Sequence, residues 1–392
     1  MAHAVVWNSR KPQRGVSSSG SRGVTPRSRS GVVTRRRRLV RPWESVVSFR
    51  KTIGIWALGV SWLASGCERP VDPEFLSSER ASKLTAELQA TLKIELVDKT
   101  GTYAHPKLIG DELGVDLAKG QAVYQLRCVQ CHGISGDGAG PAAASLYPRP
   151  RDYRRGVFKF TSTPYGARPL ASDLVRTVRA GIHGTSMPSF NLLPNEEIEA
   201  VVNYVLTLTR RGEYEEELTA LAENEEALEQ EAIQEEAFPR VMQRWNTAES
   251  QQVQQLTPQP KFTAEHVALG KQAFLTVGCA KCHGEDGRGQ MSDNIGKDLW
   301  GQTTRAADLT SGMLHGGQRP LDIYRRIYSG INGTPMPGFA SSLQSQPDTI
   351  WHLVAYVKFI SNRRREGELP PPGPIKPYVP AEVTLAPAAP AE

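Results

Sequence analysis

Two copies of the pentapeptide Cys-x-x-Cys-His constrain this chain more than any other feature. They are Cys128-Val129-Gln130-Cys131-His132 and Cys279-Ala280-Lys281-Cys282-His283. The pattern is the attachment signature of c-type haem. Two thiols three positions apart can add to the two vinyl groups of one porphyrin. The histidine that follows then falls beneath the iron as its proximal ligand. Zinc would want two further Cys or His ligands at regular spacing, and none is present. A thioredoxin-like pair would sit in a strand–helix alternation, whereas both copies follow helix-like stretches. The expectation is two covalently bound haem c groups. Cys128, Cys131, Cys279 and Cys282 form the thioether bonds, and His132 and His283 bind iron.

Those motifs use four of the five cysteines and leave only Cys67, so the chain is not a disulfide-stapled scaffold. Its 392 residues suffice for two or three modest domains. The net charge of +6 hides a split. Residues 1–51 carry a net charge of +12, and the remainder from Cys67 onward carries −6. The basic excess therefore belongs to a leader, and the run at 35–38 gives little support for nucleic-acid binding. The acidic remainder suits a basic docking partner.

Arg50-Lys51 precedes fifteen uncharged, mostly apolar residues at 52–66, and then Cys67. Positive flank, apolar core and small residues at the cut are the order of an export signal. Fifteen residues rise about 22 Å as a helix, short of the ~30 Å hydrocarbon core. The segment Leu63-Ala64-Ser65-Gly66-Cys67 resembles a bacterial lipoprotein box. That resemblance implies cleavage before Cys67 and lipid on its thiol. The expected location is the periplasmic face of a membrane, held by the lipid.

The two motifs anchor an internal repeat. Before each lies a helix-like run with Gly and an aromatic four positions later, Gly120/Tyr124 and Gly270/Phe274, hence on one helix face. After each comes a glycine-rich turn. Further on, 173–182 matches 322–331, each opening on an Asp suited to cap a helix and closing near a Gly. Then follow Gly184-Thr185-Ser186-Met187-Pro188 and Gly333-Thr334-Pro335-Met336-Pro337. Each Met-Pro sits at the same place in its repeat, so Met187 and Met336 are read as distal iron ligands. The prolines stiffen the loops that present the sulfurs. Each repeat closes with an amphipathic helix, with apolar positions Ile198, Val201, Val202, Val205 and Ile350, Leu353, Val354, Val357. Tyr204 and Tyr356 occupy equivalent places and are expected to meet the glycine face of the first helix.

In this order of features the chain resembles the class I cytochrome c family twice over, at 113–212 and 262–365. The resemblance implies an all-α fold of two tandem small haem domains whose first and last helices cross. It also implies His/Met low-spin iron and electron transfer. In the family a proline carbonyl accepts from the proximal imidazole. Pro148 or Pro150 could serve in the first domain, while the second has no proline there. Arg151 and Arg305 are candidates to approach haem propionates.

The expected organisation is a disordered basic leader with signal at 1–66, a tether with a helix at 67–112, domain 1 at 113–212, an acidic helical linker at 213–261, domain 2 at 262–365 and a disordered Pro/Ala-rich tail at 366–392. The acidic stretch at 213–237 holds eleven Glu and reads as an exposed helix. Residues 77–97 read as a helical spacer, and 251–260 as a flexible link. The expected role is that of an electron carrier or electron-transfer subunit, not an enzyme. It would serve a respiratory membrane complex or another redox protein, with no small-molecule substrate and no nucleic acid. The alternative is a di-haem peroxidase with one open iron.

Overall fold

The computed structural model describes residues 73–111, 114–225, 227–289, 296–364 and 366–367. The basic leader, the apolar run, Cys67, Met291 and most of the Pro/Ala-rich tail lie outside the described residues. Among the described residues no helix is long and apolar enough to cross a membrane.

The first haem domain is built from α2 (Ala118–Arg127), α3 (Val129–His132), α4 (Ala171–Ala180) and the start of α5 (Asn195–Glu225), with α1 (Ala86–Thr100) ahead of them. The chain then passes through α6 (Gln230–Ala232), a π-turn at Ile233–Ala237 and α7 (Phe238–Ser250). The second domain repeats the plan with α8 (Ala264–Thr276), α9 (Cys279–His283), α10 (Pro320–Ser329) and α11 (Asp348–Arg363). A two-stranded antiparallel ribbon, β1 (Gly296–Lys297) and β2 (Thr303–Thr304), is the one extended element among the described residues. Nothing in the sequence pattern foretold it.

Each domain is organised by one close helix crossing. In domain 1, α2 crosses α5 at Gly120, where an added methyl group would collide with the Ala200 carbonyl oxygen and stand 3.1 Å from the Tyr204 Cβ. In domain 2, α8 crosses α11 at Gly270, where a methyl would collide with the His352 carbonyl oxygen and press on Tyr356. The aromatics pack beside these contacts, Tyr124 on Tyr204 at 5.2 Å between ring centroids and Phe274 on Tyr356 at 5.3 Å. Tyr124, Tyr204 and Phe274 are almost wholly buried. Both crossings are as the repeat led us to expect.

Three expectations need correction. Asp173 and Asp322 are not N-cap residues. Their helices begin two residues earlier, and each carboxylate reaches back to a preceding backbone N–H, that of Leu170 at 3.2 Å and that of Arg319 at 3.3 Å. The 77–97 segment is not a free spacer. Thr85 caps α1 by accepting the Leu88 N–H, and Leu92 and Leu96 join Leu218, Leu221, Ile233 and Trp245 in one core. Finally, the acidic stretch is not simply a solvated face. Its first part continues α5 without a break, and Glu213 and Glu215 are buried. Glu213 accepts from the Arg168 Nε and the Trp245 Nε1, each at 2.6 Å. Glu215 accepts the Ser78 N–H at 2.9 Å, with Arg211 3.5 Å away. A buried carboxylate persists only with such partners.

Residues 251–260 are docked rather than loose. The Val253 N–H donates to the Ser162 carbonyl in domain 1 at 2.8 Å. The Leu256 N–H donates to the Tyr324 hydroxyl, and Trp351 Nε1 to the Thr257 carbonyl, each at 2.9 Å. The domains also touch directly. Arg326 of α10 donates to the Lys159 carbonyl at 2.9 Å, and the Gly166 N–H donates to the Asn332 Oδ1 at 2.8 Å.

Overpacking a tight crossing typically costs 1–3 kcal/mol. Gly270→Ala should therefore destabilise the haem-loaded chain by about 1–3 kcal/mol. Chemical denaturation checks this, with Leu269→Ala, at a half-exposed neighbouring position, expected to stay within about 0.5 kcal/mol.

Candidate functional site

The helix that crosses at glycine also delivers the first thiol. The Cys128 N–H closes the last turn of α2 on the Tyr124 carbonyl at 2.8 Å, and the His132 N–H bonds to the Cys128 carbonyl at 2.9 Å. The second motif lies on α9, entered through Gly278 with left-handed backbone. All four motif cysteines are unpaired and half-buried. Burial pushes the Cys128 and Cys279 thiols up to about 11.

The His132 Nδ1 lies 3.3 Å from the Arg151 carbonyl oxygen, and the His283 Nδ1 lies 3.0 Å from that of Ala307. A carbonyl can only accept, so Nδ1 carries the proton in each ring and Nε2 keeps its lone pair. Burial holds both imidazoles below the usual histidine range and hence neutral. In domain 1 the carbonyl is that of Arg151, one residue past Pro150, and not that of Pro148 or Pro150. Two free thiols a helical turn apart beside a neutral imidazole with a committed Nδ1 are the donor set a covalent haem requires. The residues therefore fit the group.

The two methionine loops are built alike. In domain 1 the Ile182 N–H donates to the Met187 carbonyl at 3.1 Å, and the Met187 N–H to the Thr185 hydroxyl at 3.1 Å. In domain 2 the Ile331 N–H donates to the Met336 carbonyl at 3.2 Å, and the Met336 N–H to the Thr334 hydroxyl at 3.3 Å. Each loop folds back on the glycine that ends the preceding helix, Gly181 or Gly330. Both have positive φ, and a side chain on either would press into the returning Met-Pro backbone. Met187 and Met336 are half-buried, and a cleft of about 510 Å³ opens beside Met336, with Pro164 and Tyr165 of domain 1 on its wall.

The other candidates fall elsewhere. His183 and Met313 are exposed, and Met242 packs into the core under α1. Arg305 is exposed. Arg151 is mostly buried, with its guanidinium 3.5 Å from the Trp300 ring centroid and its Nη1 3.5 Å from Asp298. Burial pushes it down to about 10.

Two features escaped the sequence reading. Tyr153 is buried 5.4 Å from the His132 ring centroid and donates its hydroxyl to that of Tyr124, which in turn donates to the Gly133 carbonyl at 2.8 Å. Phe274 replaces Tyr124 in domain 2, so no such chain forms there. The second feature is the turn at 298–300, whose residues have no counterpart in the first repeat.

Residues 117–209 and 267–361, together just under half of the chain, match the cytochrome c family. These two segments are cytochrome c domains, and such domains carry covalently bound haem c and use it for electron transfer. No curated protein matches the chain. Among solved structures, a chain of the Kuenenia stuttgartiensis reducing HAO-like protein complex is 29% identical, with a TM-score of 0.49, over 62% of this chain and 96% of that one. That relative belongs to an HAO-like complex. The expectation that set this chain apart from enzymes is corrected accordingly.

Intact-mass measurement should find two haems on the wild-type chain. The double substitution Cys128→Ala with Cys131→Ala should remove one haem and leave that on Cys279 and Cys282.

Proposed function

We propose that the chain is an exported, membrane-tethered relay that passes single electrons between a respiratory membrane complex and another redox protein. The iron ligands are His132 with Met187 and His283 with Met336, and Cys67 carries the lipid. One observation carries the ligand assignment: the methionine loop is built twice with the same bonds and the same returning fold over glycine. A backbone held at three points presents its side chain with little freedom, as a ligand must be presented.

A haem in such a site supplies one-electron iron chemistry. The protein's own residues supply the rest. The Arg151 and Ala307 carbonyls orient the imidazoles and raise their basicity. The buried rings of Tyr124, Tyr153 and Phe274 exclude water behind them. Lipid on Cys67 follows from the lipoprotein-like box and from the cysteine's lack of a place in either motif. The acidic remainder favours a basic docking face on a redox partner.

Absorption spectroscopy of the oxidised protein should show a methionine-to-ferric charge-transfer band accounting for both haems. The reduced protein should leave carbon monoxide nearly unbound. Met187→Ala should then open one haem of two to carbon monoxide. A carbon-monoxide-reactive haem in the wild type would sink the ligand assignment and favour a peroxidase-type site. Cys67→Ser should move the protein from the membrane fraction to the soluble one. Unchanged fractionation would remove the lipid from the proposal.

A further inference from the structure

We propose that domain 2 sets the proximal ligand of domain 1, through a clamp in which Asp298 and Trp300 fix the Arg151–Asp152 backbone whose carbonyl holds His132. The inference rests on the reading above only in requiring that His132 bind the haem of domain 1.

The clamp holds that segment by the Arg151 side chain and by the Asp152 backbone. The Trp300 ring lies under the Arg151 guanidinium at 3.5 Å, and its Nε1–H donates to the Asp152 carbonyl at 3.0 Å. Asp298 stands 3.5 Å from Arg151 and 3.8 Å from Lys159. Its other oxygen accepts the backbone N–H groups of Trp300 at 3.1 Å and Gln302 at 3.0 Å, so the carboxylate cannot swing away. The Asp298 side chain is 5% exposed and that of Arg151 19%, so water screens the pair little. Domain 2 has no equivalent, because the carbonyl facing His283 belongs to Ala307, whose methyl group offers neither charge nor hydrogen bond to hold.

The same indole reaches the ligand loop of its own domain. A side chain at Gly333 would run into the Trp300 ring, and the Gly333 carbonyl accepts the Leu299 N–H at 2.9 Å. Met336 lies three residues on. One aromatic side chain therefore touches both the methionine loop of domain 2 and the segment that orients the histidine of domain 1.

A hydrogen bond from Nδ1–H to a fixed carbonyl makes the imidazole a stronger donor to iron and favours the ferric state. Loosening the carbonyl weakens that bond and raises the potential. Losing the Asp298 charge beside Arg151 acts in the same direction.

The test is potentiometric titration of the full, haem-loaded chain, with electron paramagnetic resonance resolving the two ferric sites. Met336→His, which lowers only the domain 2 potential, assigns the two waves. Trp300→Leu and Asp298→Asn should each raise the domain 1 potential by clearly more than that of domain 2, changing the domain 1 Fe(II) to Fe(III) ratio by up to about tenfold, or about 59 mV for one electron. Trp300→Phe, which keeps the stack and loses the N–H, should shift it less. Arg326→Gln removes interdomain hydrogen bonds without touching Arg151 and should leave it in place. An unmoved domain 1 potential, an equal shift in both waves, or the same shift in Arg326→Gln would each overturn the proposal. A wild-type protein without a histidine-ligated haem in domain 1 would overturn the ligand assignment itself, and that is seen before any variant is made.

Discussion

The contact on which everything else depends is the approach of two helices to within a backbone's width, made once in each domain at a glycine. With Gly120 against Ala200 and Gly270 against His352, the helix that leads into the thiols is locked to the helix that closes the domain. The lock works because nothing intervenes. Without a side chain at the crossing, the flanking aromatics Tyr124 with Tyr204 and Phe274 with Tyr356 can pack directly on one another. Such small all-α units hold little apolar area of their own, and a covalent cofactor joined at two points adds to the ordering. Glycine therefore sits at the crossings, where the backbone approach is tightest, and larger residues crowd in around it.

Around that shared frame the two domains diverge. Domain 1 places a tyrosine pair behind its histidine, and its proximal carbonyl belongs to a residue anchored in the neighbouring domain. Domain 2 has a phenylalanine, and its carbonyl belongs to an alanine. Domain 1 is also enlarged, with α1, α6 and α7 wrapped against the long continuation of α5 in a core that domain 2 does not share. The repeat thus supplies two similar sites, and the non-repeated segments make them unequal. Inequality of this kind matters wherever electrons pass between two haems, since two identical potentials give no direction to transfer.

What could be read from the sequence follows a physical line. The crossing glycines, the aromatics beside them and the methionine loops were legible because each is marked by a short pattern that appears twice, even where the partners it meets lie far along the chain. The features that could not be read depend on distant partners. Glu213 looks like one more acid in a charged run until Arg168 and Trp245, 45 and 32 positions away, are folded onto it. The apolar face of α1 is visible, but nothing in 86–100 says that it packs on 218–245. Asp298 and Trp300 occupy a turn between two very short strands, and without a counterpart in the first repeat nothing marks them as different from ordinary loop residues. Asp173 and Asp322 were assigned to the helix starts correctly in kind and wrongly in position. A carboxylate at the third helical residue serves the N–H of the cap residue, whereas one at the cap would serve the N–H groups of the second and third helical residues.

The continuity of α5 places a condition on the length of this chain. Thirty-one residues of unbroken helix span about 46 Å and carry two different binding faces, Val201 and Tyr204 for the core behind the first motif and Leu218 and Leu221 for the core around α1. The angle between those faces is set by the number of residues separating them, at about 100° per residue. Adding or deleting one residue between them would turn one face away from its core while leaving every side chain intact. Two added turns, near seven residues, would restore the angle but lengthen the rod by about 10 Å. Residues 205–217 therefore hold a fixed count, and because all of them but Glu216 are at least partly buried, they tolerate neither insertion nor free substitution.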